Sequence, residues 1–272
     1  MNTQFNTFKT FSAAAILGLG VTFQASAAPL FTVDPTVFSS GAPGTFTADQ
    51  LSGSASTLVT LDTVANTGVG QGWINFTSFT NGGSPVLSNV SYVGFDWQMW
   101  AEFIYTVAPQ NPADSIGPGV NLAMTSLDFQ FWGASGTDVQ FTPNSVNDIV
   151  TPTVDTSGAG VSNLQLIGQG SLIDGVIEPT SQGGNALNAY SSYSNTAFGN
   201  TFFIEPTPFY DIAFNDFNNT SQQIVQDGNL VRIVSTGAVD FNGVPVPTPA
   251  TLALMGLGLL GLSFTSWRRR AG

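Results

Sequence analysis

The chain has 272 residues, no histidine and no cysteine, and its 17 acidic residues outweigh five lysines and arginines to give a net charge of −12. The missing side chains exclude Ser-His-Asp hydrolysis, zinc held by histidine, thiol nucleophiles and thiolate metal sites. The negative charge opposes nucleic-acid binding, because phosphates would be repelled.

The first 27 residues have the features of a secretory signal peptide, which is predicted to form an N-terminal signal helix. Lys9 precedes an apolar run from Phe11 to Phe23, and small residues follow at Ala25, Ala27 and Ala28. We therefore predict cleavage before Ala28 and export of the mature chain.

Residues 28–243 form the predicted exported domain. All 17 acidic residues lie in this range, and Arg232 is its only basic residue. A length of roughly 215 residues suits one domain that can bury a core without disulfides.

Short apolar or alternating runs, separated by Gly, Pro, Asn and Ser, predict strands along this domain. In chain order the predicted strands are Leu30–Val33, Thr45–Ala48, Ser56–Asp62, Trp73–Phe79, Phe95–Val107, Leu127–Phe131, Leu164–Ile177, Thr201–Ile204, Tyr210–Phe214 and Leu230–Phe241. The polar stretch Ser181–Asn200 is predicted to be a long surface loop.

The clearest alternation runs from Phe95 to Val107, where apolar side chains occupy the odd positions. A period of two indicates a strand with one buried face. Leu127, Phe129 and Phe131 alternate in the same way, so we expect an antiparallel partner strand there. Together the pattern predicts an all-β fold, an antiparallel β-sandwich of jelly-roll-like type.

Carboxylates are the remaining candidates for catalysis, because the only lysine, Lys9, lies in the signal peptide. A glycosidase uses two acids about 5–10 Å apart. Asp96 and Glu102 share a predicted strand face but lie roughly 20 Å apart, while Asp128 could lie opposite one of them. A solvated sheet face explains the same residues, and we predict no enzymatic activity and no catalytic residue.

Calcium is the metal that these side chains could bind outside the cell, since Asp and Asn supply hard oxygen ligands. Asp211, Asn215, Asp216 and Asn218 cluster around a predicted turn. Their spacing does not match an EF-hand loop, and Asp and Asn are also ordinary turn formers. A calcium site and a solvated turn both remain open, and no other cofactor is predicted.

Tryptophans offer a third kind of site, because flat rings can stack on sugars. Trp100 and Trp132 fall on the mixed-polarity faces of the two best strands, beside Glu102, Asp128 and Gln130. This arrangement would suit glycan binding. The alternative, that both tryptophans are core residues under a covered sheet face, is favoured by their size.

Residues 244–272 form a tail of three parts. Prolines at 245, 247 and 249 predict an extended hinge. The uncharged run 250–267 predicts a transmembrane helix roughly 27 Å long. Arg268, Arg269 and Arg270 would hold its far end in the cytoplasm, which leaves the preceding domain outside.

This tail resembles the PEP-CTERM sorting signal of exported bacterial proteins. The match lies in the stretch 246–254, with Pro247, Thr248 and Pro249 as its signature, and Thr248 stands where the family usually has glutamate. The resemblance implies transient membrane insertion through 250–267. It also implies an exosortase-like membrane protease that cuts near Pro247–Pro249.

Short segments of the domain also resemble the flocculation-associated subgroup of PEP-CTERM proteins. They include Phe31–Val33, Gly44–Asp49, Gln165–Gly170 and Phe202–Tyr210. The resemblance implies a non-enzymatic protein of the cell surface or extracellular matrix, with exopolysaccharide or matrix components as partners. The implied role is cell aggregation in flocs or biofilms.

Overall fold

A computed structural model describes residues 29–117, 119–145, 149–179, 184–218 and 224–242, without side chains for 214–218. The predicted signal peptide, its cleavage residues Ala25, Ala27 and Ala28, and the predicted tail 244–272 lie outside these residues. Within the described part, no helix is long and apolar enough to cross a membrane.

Strands dominate the described residues. The strands are β1 (Phe31–Val33), β2 (Phe46–Ala48), β3 (Gln50–Asp62), β4 (Thr67–Asn81), β5 (Ser84–Pro85), β6 (Trp97–Pro109), β7 (Leu122–Ser135), β8 (Gln140–Thr142), β9 (Thr153–Asp155), β10 (Ser162–Pro179), β11 (Asn185–Ser192), β12 (Ser194–Asn195), β13 (Phe203–Glu205), β14 (Ile212–Asn218), β15 (Ile224–Asp227) and β16 (Leu230–Asn242). The helices are a 3₁₀ turn (Pro35–Val37), α1 (Ser88–Ser91) and α2 (Gly199–Phe202).

Eight of these strands form one sheet that closes on itself. In the order β3, β4, β6, β7, β10, β11, β14 and β16, each pairs antiparallel with the next, and β16 pairs with β3. The prediction of an all-β antiparallel fold is confirmed. The two facing layers of the predicted sandwich are opposite walls of this one closed ring. Neighbouring strands of the ring follow one another in chain order, which differs from the strand order of a jelly roll.

The inside of the ring holds the main core. Along β6 the odd-numbered side chains from Trp97 to Val107 are buried, as the alternation predicts. Phe76 and Phe131 meet them from the flanking strands. Phe95 is the exception, with 67% of its surface exposed, because it lies in the turn 94–96 and β6 begins only at Trp97.

A small three-stranded sheet, β13–β1–β2, packs with α2 and the 3₁₀ turn at one end of the ring. Phe31 meets Phe241 of β16 edge to face, and Phe38 stacks on Trp97 with ring centroids 5.4 Å apart. Phe202 of α2 also contacts Trp97. These aromatic contacts fill this end of the ring.

The hairpin β8–β9 forms a second, smaller core on the outside of the ring. It packs Val139, Phe141 and Val154 onto Trp100 and Trp132, which are cross-strand neighbours on β6 and β7. Gln98 holds the base of this hairpin, since its Oε1 accepts a 2.9 Å hydrogen bond from the Val139 amide. The outer sheet face is therefore dry at this hairpin.

Two local predictions were wrong. Ser181–Asn200 was predicted to be a loop, but β11 lies within it and pairs with both β10 and β14. Backbone pairing on both sides stabilises this strand although its side chains are largely polar. Thr201–Ile204 was predicted to be a strand, but α2 occupies its first half.

Candidate functional site: a polar groove on the outer face

A polar groove of about 720 Å³ crosses the outer face of β4, β6, β7 and β10. Strand register builds its floor as two parallel rows of side chains. One row takes its residues from β6, β7, β10 and β12, and the other from β4, β6, β7 and β10. Outward-facing residues of neighbouring strands lie side by side when they are directly paired. The groove is therefore a product of pairing between strands that are far apart in sequence.

The first row carries the densest set of hydrogen-bonding groups. Glu102 of β6 is paired with Gln130 of β7, and Gln130 is paired with Gln169 of β10. All three side chains are exposed. Ser194 continues the row, because it is paired with Gln169. A carboxylate, two amides and a hydroxyl thus follow one another along one line that faces solvent.

The second row runs beside the first. Gln71 of β4 is paired with Ile104, Ile104 with Asp128, and Asp128 with Ser171. Ser171 and Ser192 are joined through their hydroxyls at 3.1 Å. This row adds a second carboxylate and leaves one apolar side chain, Ile104, 46% exposed in the floor.

The edges of the groove come from segments outside the rows. At the β4 side, Gln71 Nε2 donates a 3.1 Å hydrogen bond to Thr151 Oγ1, and Pro152 lies beside it. At the β10 side the edge is formed by Ser192–Ser194. The hairpin β8–β9 covers the neighbouring row at Trp100 and Trp132, so the floor lies next to a raised wall.

Glu102 is held in position within this floor. Its Oε1 accepts a 3.0 Å hydrogen bond from Trp100 Nε1, and the Trp100 ring is itself fixed under the hairpin. One carboxylate oxygen is thereby anchored while the exposed side chain keeps the other available to solvent. A ligand would meet a carboxylate whose orientation is already set.

The structure does not present Trp100 as an open stacking platform. Trp100 is only 1% exposed, and Trp132 is partly buried against the same cluster. Trp73 is also buried, and its Nε1 donates a hydrogen bond to the Thr142 carbonyl at 3.3 Å. These positions favour the core alternative, since a ring face covered by protein cannot stack on a sugar.

The three acids considered for catalysis are not all brought together. Asp96 lies in the turn directly before β6, where its Oδ2 accepts a 2.7 Å hydrogen bond from Ser39 Oγ. Glu102 and Asp128 are diagonal neighbours across β6 and β7, a relation that places Cβ atoms roughly 7–8 Å apart. Both are exposed, whereas a general acid is normally a carboxyl group taken out of water.

The turn expected at the candidate calcium ligands is not formed. Asp211 directly precedes β14, and Asn215, Asp216 and Asn218 lie within that strand. An extended backbone separates the Cα atoms of Asp211 and Asn218 by roughly 23 Å. Among the described residues there is no group of three or more acidic side chains that could hold a metal ion.

Two buried tyrosines line the ring interior on the other side of this sheet. Burial raises the pKa of Tyr105 and Tyr193 well above the ordinary value for tyrosine. Tyr193 also donates a hydrogen bond to Asn195 Oδ1 at 2.9 Å. These groups stay neutral at physiological pH and add no charge behind the groove.

Sequence reasoning identified only part of this groove. The alternation of β6 and β7 placed Glu102, Asp128 and Gln130 on one mixed-polarity face. It missed Gln71 and Gln169, because nothing local in the chain reveals which residues of β4 and β10 pair at this level. Gln169 lies within the predicted strand Leu164–Ile177, whereas Gln71 precedes the predicted strand Trp73–Phe79 because β4 begins earlier, at Thr67.

Comparison with known proteins adds one finding at the C-terminal side. Residues 245–270 match the family model of the PEP-CTERM protein-sorting motif. No curated protein and no solved structure matches the chain. The chain therefore carries a PEP-CTERM protein-sorting motif, which indicates an exported surface protein that is sorted by an exosortase.

Proposed function

We infer that residues 28–243 act outside the cell as a non-enzymatic component of exopolysaccharide-linked cell aggregation. The sorting motif at 245–270 carries this proposal, because it gives the β domain an export route and a processing enzyme. The resemblance of the domain to the flocculation-associated subgroup supplies the role. Its place would be the outer surface of the envelope or the extracellular matrix.

The tail acts once, during export. The uncharged run 250–267 inserts in the inner membrane, and the cluster Arg268–Arg270 stays on the cytoplasmic side. An exosortase-like protease then cuts near Pro247–Pro249, where the prolines keep the chain extended and accessible. The domain leaves the membrane, and its partners become matrix components.

The residue inventory supports a role without catalysis. The chain has no histidine or cysteine, and its only lysine precedes the predicted signal cleavage site. Of the carboxylates in the groove, Glu102 and Asp128 are both exposed. A surface of this kind is suited to hydrogen bonding with a hydrated partner.

Mass spectrometry of the protein recovered from exporting cells tests the sorting step. We expect a mature chain that starts at Ala28 and ends near Pro247–Pro249. Replacing Arg268, Arg269 and Arg270 with glutamine should leave the tail uncut, because the helix loses its cytoplasmic anchor. The matched control replaces the same three arginines with lysine, which keeps the positive charge and should be processed normally.

Recovery of an intact chain from Met1 to Gly272 in the cytosol would refute the sorting proposal. The aggregation role has a separate test in cells that lack the gene. Sedimentation of these cells should slow, and the wild-type gene should restore it. Unchanged sedimentation in the deletion strain would refute the role while leaving the sorting step intact.

A carbohydrate-binding module is the second candidate function. The groove on β4, β6, β7 and β10 favours it. The pair Trp100 and Trp132 does not, because the hairpin covers Trp100. This candidate is compatible with the first, since a matrix component can act by holding a polymer.

A further inference from the structure

We propose that the outer groove binds an uncharged polysaccharide chain, which lies across the strands along the row Glu102–Gln130–Gln169. The proposal deepens the proposed function and rests on it for the setting, because it names the class of polymer that the exported domain holds. It differs from the tryptophan hypothesis in both the residues and the kind of contact.

The groove has the shape of a site for a linear chain. Its two rows cross four strands, and neighbouring strands are about 4.8 Å apart, so each row is about 14 Å long. Thr151–Pro152 lie at the β4 end of the floor and Ser192–Ser194 at the β10 end, and the hairpin β8–β9 lies along one side. A floor of this length can contact a few consecutive sugar units of a longer chain.

The chemistry of the floor matches hydroxyl groups. Gln130 and Gln169 each present an amide with donors and an acceptor, and Glu102 and Asp128 present acceptors. Within the described part of the chain, no hydrogen bond or ion pair involves the side chains of Asp128, Gln130 and Gln169. Neighbouring hydroxyls of a sugar ring can both donate and accept, so they pair with such planar groups.

Charge selects among polysaccharides. Among the described residues that line the groove there are two carboxylates and no basic side chain. Arg232, the only basic residue in the sequence of the exported domain, is not among them. A chain of uronates or sulfated sugars would bring more negative charge against Glu102 and Asp128. An uncharged chain avoids this repulsion, so the groove should bind it more tightly than a chain of uronates or sulfated sugars.

Other ligands fit the groove less well. Nucleic acid is repelled for the same reason as a polyanion. For a metal ion, the described residues contain no group of three or more acidic side chains that could hold one. Hydrolysis would need a carboxyl group shielded from water, and both groove acids are exposed.

The test measures binding of hexasaccharides to the exported protein recovered from cells. The probes are uncharged hexasaccharides of glucose, galactose and mannose and, for comparison, a hexamer of galacturonate. The test variant is Gln130→Ala with Gln169→Ala, whose exposed side chains can be removed with little effect on folding. Gln226→Ala is the matched control, because Gln226 is exposed on β15 away from the groove.

We expect at least one uncharged hexasaccharide to bind and the double variant to weaken its binding roughly tenfold or more, since two hydrogen-bonding groups are lost. Glu102→Gln keeps the acceptor for Trp100 Nε1 and removes the charge. It should therefore reduce the discrimination against galacturonate. The corresponding control is Glu178→Gln, on β10 but outside the groove.

Three results would overturn the inference: no uncharged probe binds, the double variant binds as well as Gln226→Ala, or galacturonate binds as well as the uncharged chains. The aggregation assay separates this failure from failure of the proposed function. If the gene restores sedimentation and the double variant restores it equally, the groove is refuted and the aggregation role stands. If the deletion strain sediments normally, the aggregation role fails whatever the binding assay shows.

Discussion

Replacing Trp100 with alanine distinguishes a core tryptophan from a ligand platform. The side chain is only 1% exposed, under Val139 and Phe141 of the hairpin segment. A buried aromatic side chain removes roughly 150–250 Å² from water. At about 25 cal/mol per Å² this burial contributes roughly 4–6 kcal/mol.

We therefore expect Trp100→Ala to lower the free energy of unfolding by about 3–5 kcal/mol, the usual range for truncating a buried tryptophan. For a domain of this size the melting temperature should fall by roughly 6–20 °C. Trp100→Phe keeps most of the ring packing but loses the hydrogen bond from Nε1 to Glu102. Its cost should be smaller, about 1–2 kcal/mol.

Urea denaturation followed by circular dichroism measures these changes on the protein recovered after export. Phe95→Ala is the control, because Phe95 is 67% exposed and its loss should cost about 0.5 kcal/mol or less. If Trp100→Ala costs less than about 1 kcal/mol and abolishes polysaccharide binding, the reasoning is refuted. Trp100 would then be an accessible ligand contact and the hairpin would not cover it.

Two further predictions concern Gly70 and Tyr105, which are in contact inside the ring. A Cβ at Gly70 would lie 2.2 Å from the Tyr105 ring. Gly70→Ala should therefore lower the free energy of unfolding, measured by urea denaturation, by about 1–3 kcal/mol. Gly117→Ala is the control, because a Cβ there meets open space, and an effect of Gly70→Ala no larger than that of the control would contradict the close contact. Burial raises the pKa of Tyr105, so the stability that its neutral form contributes is present below about pH 10 and lost above it. Tyr105→Phe should thus show a shallower fall of unfolding free energy between about pH 10 and pH 12 than the wild type. Identical slopes would contradict this, because they would show that Tyr105 releases its proton over the same pH range in the folded and unfolded states.

The residue inventory and the local patterns of the chain determined the class of fold and the export route. Alternation from Trp97 to Val107 requires a strand whose odd side chains are buried, because side chains of a strand alternate between faces. The sorting motif is likewise a continuous stretch whose proline, apolar and arginine parts act in sequence order. Both properties depend on neighbours along the chain, and both could be predicted.

Only the tertiary structure decided how the sheet closes and where the groove lies. β11 has a polar sequence that reads as a loop, yet it joins β10 to β14 and completes the ring. Trp100 is buried by residues about 40 positions further along the chain, in the hairpin that contains Phe141. The pairing of Glu102 with Gln130 and of Gln130 with Gln169 depends on strand register across the whole sheet. The pattern of each strand shows which face is buried, but not which residue of another strand lies opposite. That choice also depends on irregularities such as the register shift between Thr106 and Val107.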